Sequence, residues 1–416
     1  MKNYERHTTK NKTVEVKTVK QNSVLIILIL GALSTVSPFS IDMYLPAFSQ
    51  IAGDFHVRPA RISYSITSYF AGLAIGQMLY GPLLDRFGRK RPLYCGLILY
   101  IVCCIGCLQS RSVEMLVAFR FVQALGGCVA QVAAITMVRD FFPVKESAKV
   151  LSLLILIIGL SPLLAPTIGG FISTGLGWHW VFIVLAILVL LIMAITFFFL
   201  PEKHKPDASV SLRIEPMTAT FLSILKTPSF YTYTLAGSFS FAVLFIYVAG
   251  SPIIFMQSFH VSAKEYGAIF ALLSVGFIGG NQLNIFLLRK YRSEQILRVA
   301  LFAQVITCLV FLVGALNGWF GLSMTIAMFF ICLSCIGFTY PNACALALAA
   351  FTRNVGSASA LLGFLQMGIG GIISSGVGIF NSSNSIPVVA IMASASVIAL
   401  LILIAGKRAA AVKAIA

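Results

Sequence analysis

Within stretches that are otherwise apolar, the chain places one carboxylate and one guanidinium. Asp42 stands in Ser40-Ile41-Asp42-Met43-Tyr44-Leu45-Pro46-Ala47, and Arg120 stands in Leu116-x-x-x-Arg120-x-x-Gln123-Ala124-x-Gly126. An acid shielded from bulk water can take up and give back a proton as its surroundings change, which makes Asp42 a candidate proton carrier. An arginine at bilayer depth costs at least ~2.5 kcal/mol unless it faces a wet or paired interior. Gln123, Gly127 and Gln131 follow Arg120 at helical spacing, so one polar stripe shares a face with it. The expected chemistry is proton coupling, with deprotonated Asp42 attracting Arg120 and protonation releasing it. The competing readings are a helix-end acid bathed in outside water and an arginine pinned to backbone carbonyls. No nucleophile–base pair is visible, so no catalytic residue and no enzyme activity are expected.

The cysteines invite a second chemistry. All nine fall in apolar segments, and Cys104/Cys107 and Cys332/Cys335 have C-x-x-C spacing. A metal or redox site would need further Cys, His or acidic ligands nearby, and neither pair has them. The four read as small packing residues, with no metal and no cofactor expected. The phosphate-cradling pattern G-x-x-x-x-G-K-[ST] is also missing, so this chain alone is not expected to run on ATP.

The elements that must hold these residues are membrane helices. The chain is 59% apolar and only 10% charged, with mean hydropathy +0.95, whereas a soluble domain carries about 25% charged residues. Apolar runs of spanning length occur near 23–46, 60–81, 92–109, 112–138, 148–172 and 179–200, then near 229–251, 263–288, 295–316, 320–343, 356–380 and 386–405. That predicts an all-α protein of twelve transmembrane helices in two six-helix bundles. The division is a basic tail 1–22, a first bundle 23–200, a linker 201–228, a second bundle 229–405 and a tail 406–416. The net charge of +17 could suggest a nucleic-acid partner, but its placement argues against one. All but five of the 30 Lys and Arg fall in the tails and in alternate loops; Arg58, Arg61, Arg111 and Lys264 are on the other side and Arg120 lies within a span. Basic residues are retained on the cytoplasmic side, so both termini are expected there. The lipid bilayer is then the one large partner, and the chain is expected to act as a monomer.

Between spans two and three lies Gly81-Pro82-Leu83-Leu84-Asp85-Arg86-Phe87-Gly88-Arg89-Lys90-Arg91-Pro92. The pattern G-x-L-x-D-R-x-G-R-K-R resembles the loop 2–3 signature of the major facilitator superfamily. Its echo in the second half, Arg289-Lys290-Tyr291-Arg292, is faint. The Arg120 stretch is similar to the superfamily's span-four motif, with Ala124 where glycine is usual. Span five carries Gly159-x-Ser161-Pro162-x-x-Ala165-Pro166-x-x-Gly169-Gly170, which resembles the motif marking antiporters, with Ala165 in place of a glycine. The end of span one, Trp178-His179-Trp180 opening span six and Gly250-Ser251-Pro252 closing span seven together resemble the Bcr/CflA group of multidrug exporters.

That resemblance covers residues 23 to 405 and implies a bacterial inner-membrane exporter exchanging protons for small hydrophobic drugs such as bicyclomycin and chloramphenicol. An exporter dedicated to one metabolite, an amino acid such as cysteine or a siderophore, is the alternative. By resemblance, Asp85 meets the start of span eleven around Gly356, while Gly81, Arg86 and Gly88 shape the loop and Arg89 joins a local charge network. Tyr44, Tyr69, Phe245 and Tyr247 lie where they could line an apolar cavity, with Gln123 and Gln131 as its polar contacts. His179, between two tryptophans, reads as an anchor at the outer interface.

Overall fold

The computed structural model describes residues 23–203, 206, 221–351, 355–379 and 385–415. The tail 1–22, most of the linker and the residues just before Gly356 lie outside that set. Helix α1 (23–42) is followed by a tight 3-10 turn at Leu45–Ala47 and the short α2 (Phe48–Asp54). Then come α3 (Pro59–Phe87), α4 (Lys90–Leu108), α5 (Val113–Phe141), α6 (Val144–Leu176) and α7 (His179–Phe199). A short α8 (221–225) precedes α9 (Pro228–Pro252), which runs on as a π-helix over Ile253–Ser258. The remainder is α10 (Ala263–Leu287), α11 (Ser293–Leu316), α12 (Leu322–Leu348), α13 (Val355–Ile379) and α14 (Ile386–Ile415). No strand occurs among the described residues. In hydrocarbon every backbone group must find its partner within its own segment, and apolar runs of this length do so only as helices.

Local chemistry fixes the ends. Pro59 and Pro228 open α3 and α9, where a missing N–H costs nothing. Ser112 caps α5 by accepting from the Met115 N–H, and Ser262 with Glu265 forms a reciprocal capping box on α10. Gly88 and Gly177, with φ of +83° and +96°, supply the left-handed conformation that lets the chain leave α3 and α6.

Several boundaries differ from expectation. The first span ends at 42 rather than 46, because Pro46 sits in the 3-10 turn that redirects the chain. Pro252 does not close span seven; it shifts the hydrogen bonding to a π pattern that carries the helix to Ser258. The last candidate span, Ile386–Gly406, ends where expected, and the helical backbone of α14 runs on through residue 415. Among the described residues, eleven helices are long and apolar enough to cross a membrane, and α3 is not among them. It is long enough at 29 residues, but it is rich in hydroxyls. Ser63, Ser65 and Tyr69 are buried, on a helix packed between α5 and α13, rather than facing lipid.

Packing follows this inward orientation. Helix α3 lies between α5 and α13, α4 packs on α5 and α7, and α6 packs on α10. In the second half α9 meets α12, α13 and α14, while α11 meets α12 and α14. The main contacts between the halves are therefore α3 with α13 and α6 with α10. Large apolar side chains such as Phe198 on α7 and Val299 on α11 are left pointing outward, as a lipid-facing surface requires.

Candidate functional site

Arg120 is fully buried, and three helices converge on it. Its guanidinium donates to the Ser40 carbonyl at 3.0 Å and to Gln123 Oε1 at 2.7 Å, with a longer contact of 3.4 Å to Ser40 Oγ. Ser40 Oγ in turn pairs with the Tyr100 hydroxyl at 2.6 Å. Gln123 donates its amide to Cys104 Sγ at 3.0 Å. The rings of Tyr69 and Tyr44 lie 4.3 and 4.7 Å from the guanidinium carbon, with Phe182 behind them at 6.0 Å. Arg120 Nε and the Tyr69 hydroxyl are buried with no hydrogen-bond partner. The charge is held by a carbonyl, an amide and ring faces, which desolvate it without a counter-ion.

Asp42 does not pair with Arg120 in this conformation. Among the described residues the ion pairs are Arg61–Glu114, Arg89–Asp85 and Arg89–Asp140. Asp42 ends α1 at 6% exposure, near Tyr247 of α9 and Tyr266 of α10. Ser40 and Asp42 are two residues apart on a helix, so they project to different sides: Ser40 turns to α5 and Asp42 turns to the other half.

The glycine-rich stretch of α6 is a helix crossing. A Cβ on Gly169 would strike the Met43 carbonyl, next to Asp42, and one on Gly170 would meet the Ala263 carbonyl at 2.6 Å. From the other side, a Cβ on Gly267 would lie 2.9 Å from Thr167 Cα. Pro162 and Pro166 remain inside the helix, Ala165 is fully buried, and Gly159 faces Ile278 more loosely at 3.6 Å. The second crossing, α3 on α13, runs from Ser63 and Tyr64 against Gly378 through Thr67–Ser374 at 3.4 Å to Gln77 against Gly363. Beyond it, Cβ atoms on Gly81 and Gly356 would meet nothing within 4 Å. The α3–α13 packing thus runs from the Ser63 end as far as Gln77 and Gly363, and open space lies beside both helices past that point, toward Phe87 and Val355.

That packing changes the role of the expected cavity residues. Tyr44, Tyr69, Gln123, Phe245 and Tyr247 are all buried, and only Gln131 retains partial exposure. Tyr44 bonds Ser65 at 3.0 Å, Phe245 packs on Phe70 with ring centroids 4.2 Å apart, and Tyr247 lies against Phe270 and Phe329. They are packed away from open space. Two surface cavities, of about 490 Å³ between α3 and α5 and about 390 Å³ beside α11, lie elsewhere.

In the basic loop, Arg89 binds Asp85 at 2.6 Å and Asp140 at 2.9 Å. Burial pulls the Arg89 guanidinium down, and the hydrogen bonds it donates to Asp140 and Asp85 outweigh that, leaving it above its ordinary value. Glu202, from the start of the linker, accepts from the Arg89 and Lys90 N–H groups at 3.1 and 3.0 Å. Gly356 is exposed and is not the partner of Asp85 here; residues 352–354 lie outside the described set. His179 stacks on Trp178 at 3.7 Å, and Trp178 is buried, donating to Asp54 at 2.6 Å. His179 and Trp180 are both exposed, and only Trp178 of that trio is buried.

Ser40, Tyr100, Phe182, Asp140 and Glu202 were missed by the sequence. Ser40 acts largely through its carbonyl, which leaves no mark in the residue type. Asp140 could have been found: it is an acid one helix away from an arginine-rich loop.

Residues 30–375 match the Major Facilitator Superfamily. The chain is 33% identical over 384 residues to a bicyclomycin resistance protein homolog of Haemophilus influenzae, covering 92% of this chain and 96% of that protein. It is 30% identical to the multidrug resistance protein MdtL of Shigella dysenteriae serotype 1, covering 81% and 84%. Among solved structures, the nucleoside transporter NupG superposes with a TM-score of 0.70 at 14% identity, over 92% of this chain and 99% of that one.

Proposed function

The chain belongs to the Major Facilitator Superfamily, and on that premise we propose that it exports small, mostly apolar compounds in exchange for protons by alternating access. It is a multi-pass transporter of the bacterial inner membrane, not an enzyme. The observation that carries the proposal is the α3–α13 crossing, packed from Ser63 to Gln77 and parted beyond it at Gly81 and Gly356, with α6 packed on α10 beside it. Residues 23–200 and 229–405 then act as two bodies that rock about these crossings in a monomer, with the parted end facing the cytoplasm. The names of the relatives, bicyclomycin and multidrug resistance proteins, favour drugs as cargo.

Asp42 is the proton carrier in this scheme. It is buried at the closed seam beside the Met43–Gly169 contact, where gain or loss of charge alters how the two halves fit. Arg120 responds through Ser40 on the same helix, without a direct ion pair. Tyr44, Tyr69, Gln123, Phe245 and Tyr247 reach the cargo once the sealed end opens, and Gln131 does so from the parted side. Gly81, Asp85, Arg86, Gly88 and Arg89 meet the Gly356 end of α13 in that opposite state. Pro162, Ala165 and Pro166 keep α6 bent at the crossing while Gly159, Gly169 and Gly170 let it slide. One proton crossing 100 mV releases about 2.3 kcal/mol, which sustains a roughly fifty-fold gradient of a neutral compound.

The test is transport by purified protein in liposomes with an imposed pH gradient, against a panel of apolar drugs. Wild type accumulates at least one compound uphill and loses that accumulation with a protonophore. Asp42→Asn retains downhill exchange without pH-driven accumulation. Uphill transport that ignores the pH gradient, or an Asp42→Asn protein that couples as wild type does, overturns the assignment.

A further inference from the structure

The cysteine spacing pairs Cys332 with Cys335 along one helix, but the fold gives Cys332 a different neighbour. Cys308 of α11 and Cys332 of α12 face each other with sulfurs 3.6 Å apart, both with no solvent exposure. Ser396 of α14 donates its hydroxyl to Cys308 Sγ at 3.4 Å, orienting that sulfur from a third helix. Each thiol is one residue from a lipid-exposed side chain, Leu309 beside Cys308 and Ile331 beside Cys332. None of these residues takes part in the crossings or in the Arg120 centre.

We propose that Cys308 and Cys332 form a dithiol site that captures trivalent organoarsenicals. The sulfurs stand well beyond the ~2.05 Å of a disulfide, so direct oxidation would first have to bring them closer. A bridging arsenic atom spans the gap without that movement. With an aryl arsenic oxide, each sulfur forms one bond to arsenic, and the As=O bond is lost. Both thiol protons leave with the oxygen as one water. Arsenic stays trivalent, no oxidant is needed, and no charge is created at bilayer depth, where an uncompensated ion would be costly. A soft divalent metal would instead require two buried thiolates.

The probe is phenylarsine oxide added to the full-length protein in detergent. Intact mass should show one phenylarsenic per chain with loss of one water, stable to a monothiol and removed by 2,3-dimercaptopropanol. After denaturation and alkylation, peptide mapping should find Cys308 and Cys332 protected and the other seven cysteines alkylated. Cys308→Ala and Cys332→Ala should each lose the adduct, and Cys104→Ala should keep it. The mapping needs only wild-type protein, so the inference stays testable if a variant misfolds. An unlabelled folded protein, protection at Cys104 and Cys107 instead, or an adduct that survives in both Cys308→Ala and Cys332→Ala overturns the site.

Discussion

Each half ties its first, third and fourth helices together with a buried polar knot, and only one of the knots carries charge. In the first half Ser40 of α1, Tyr100 of α4 and Arg120 of α5 converge. In the second, Ser240 of α9 bonds Gln304 of α11 at 2.7 Å and Thr339 of α12 at 2.8 Å, and Gln304 returns a bond to the Ser240 carbonyl at 3.1 Å. The neutral knot is satisfied from within and holds helices at little cost. The charged knot leaves Arg120 Nε unpartnered and has no carboxylate beside it, an expensive way to join three helices. A fold that needed only a clasp could use the second kind twice. On the proposed function, the first knot belongs to the transport cycle and the second to architecture.

The largest effect should come from removing that charge. Arg120→Ala takes away the donors to Ser40 and Gln123 and the cation beneath two tyrosine rings. Drug binding and transport should both fall by at least about tenfold, ~1.4 kcal/mol, with the protein still monodisperse in detergent. Binding by scintillation proximity and uptake in liposomes measure the two separately. Normal transport in this variant would make the charged knot as structural as the neutral one.

The helices themselves were legible because hydrophobic length is a property of local sequence; eleven of the twelve expected spans are long and apolar enough on their own. The contacts between helices were not. Tyr44 and Tyr69 were visible as inward aromatics, but whether they line space or sheathe Arg120 depends on which helix faces meet. Gly169 was legible as a motif position, while its neighbour, a carbonyl on α1, was not. Cys332 shows the same limit: its spacing pointed to Cys335, and its nearest thiol lies on another helix. Gln304 was overlooked although a glutamine in the middle of an apolar span carries its own signal.

A smaller effect should follow at the loops, where the halves differ in the same sense. Arg89 is held by two carboxylates, whereas Arg289 and Lys290 in the second half rest over the rings of Phe286 and Tyr291 at 5.3 and 5.5 Å. Asp85 is half exposed, so its ion pair contributes no more than about 1 kcal/mol to stability. Asp85→Asn should insert and fold normally, and Asp140 still holds Arg89. Turnover should nevertheless drop several-fold, because on the proposed function the Asp85 carboxylate meets the start of α13 when the parted end closes. Unchanged turnover in liposomes would leave the loop with a role in topology alone.

The smallest effect is expected in the neutral knot, and it is the sharpest check on the comparison. Gln304→Leu keeps the side-chain volume while removing one acceptor and one donor. Ser240 Oγ still has Thr339, and the Ser240 carbonyl lies inside α9 with its helical partner available. Nothing is left stranded, so the loss should match a single interhelical hydrogen bond in a membrane, about 0.6 to 1.7 kcal/mol. Thermal unfolding in detergent should show a shift of a few degrees at most, with the liposome transport rate close to wild type. Arg120 differs because its removal changes a charge that the rest of the first half is arranged around. If Gln304→Leu stopped transport as fully as Arg120→Ala, a buried hydrogen-bonded clasp of either kind would be what the cycle needs, and the charge on Arg120 would lose its special place.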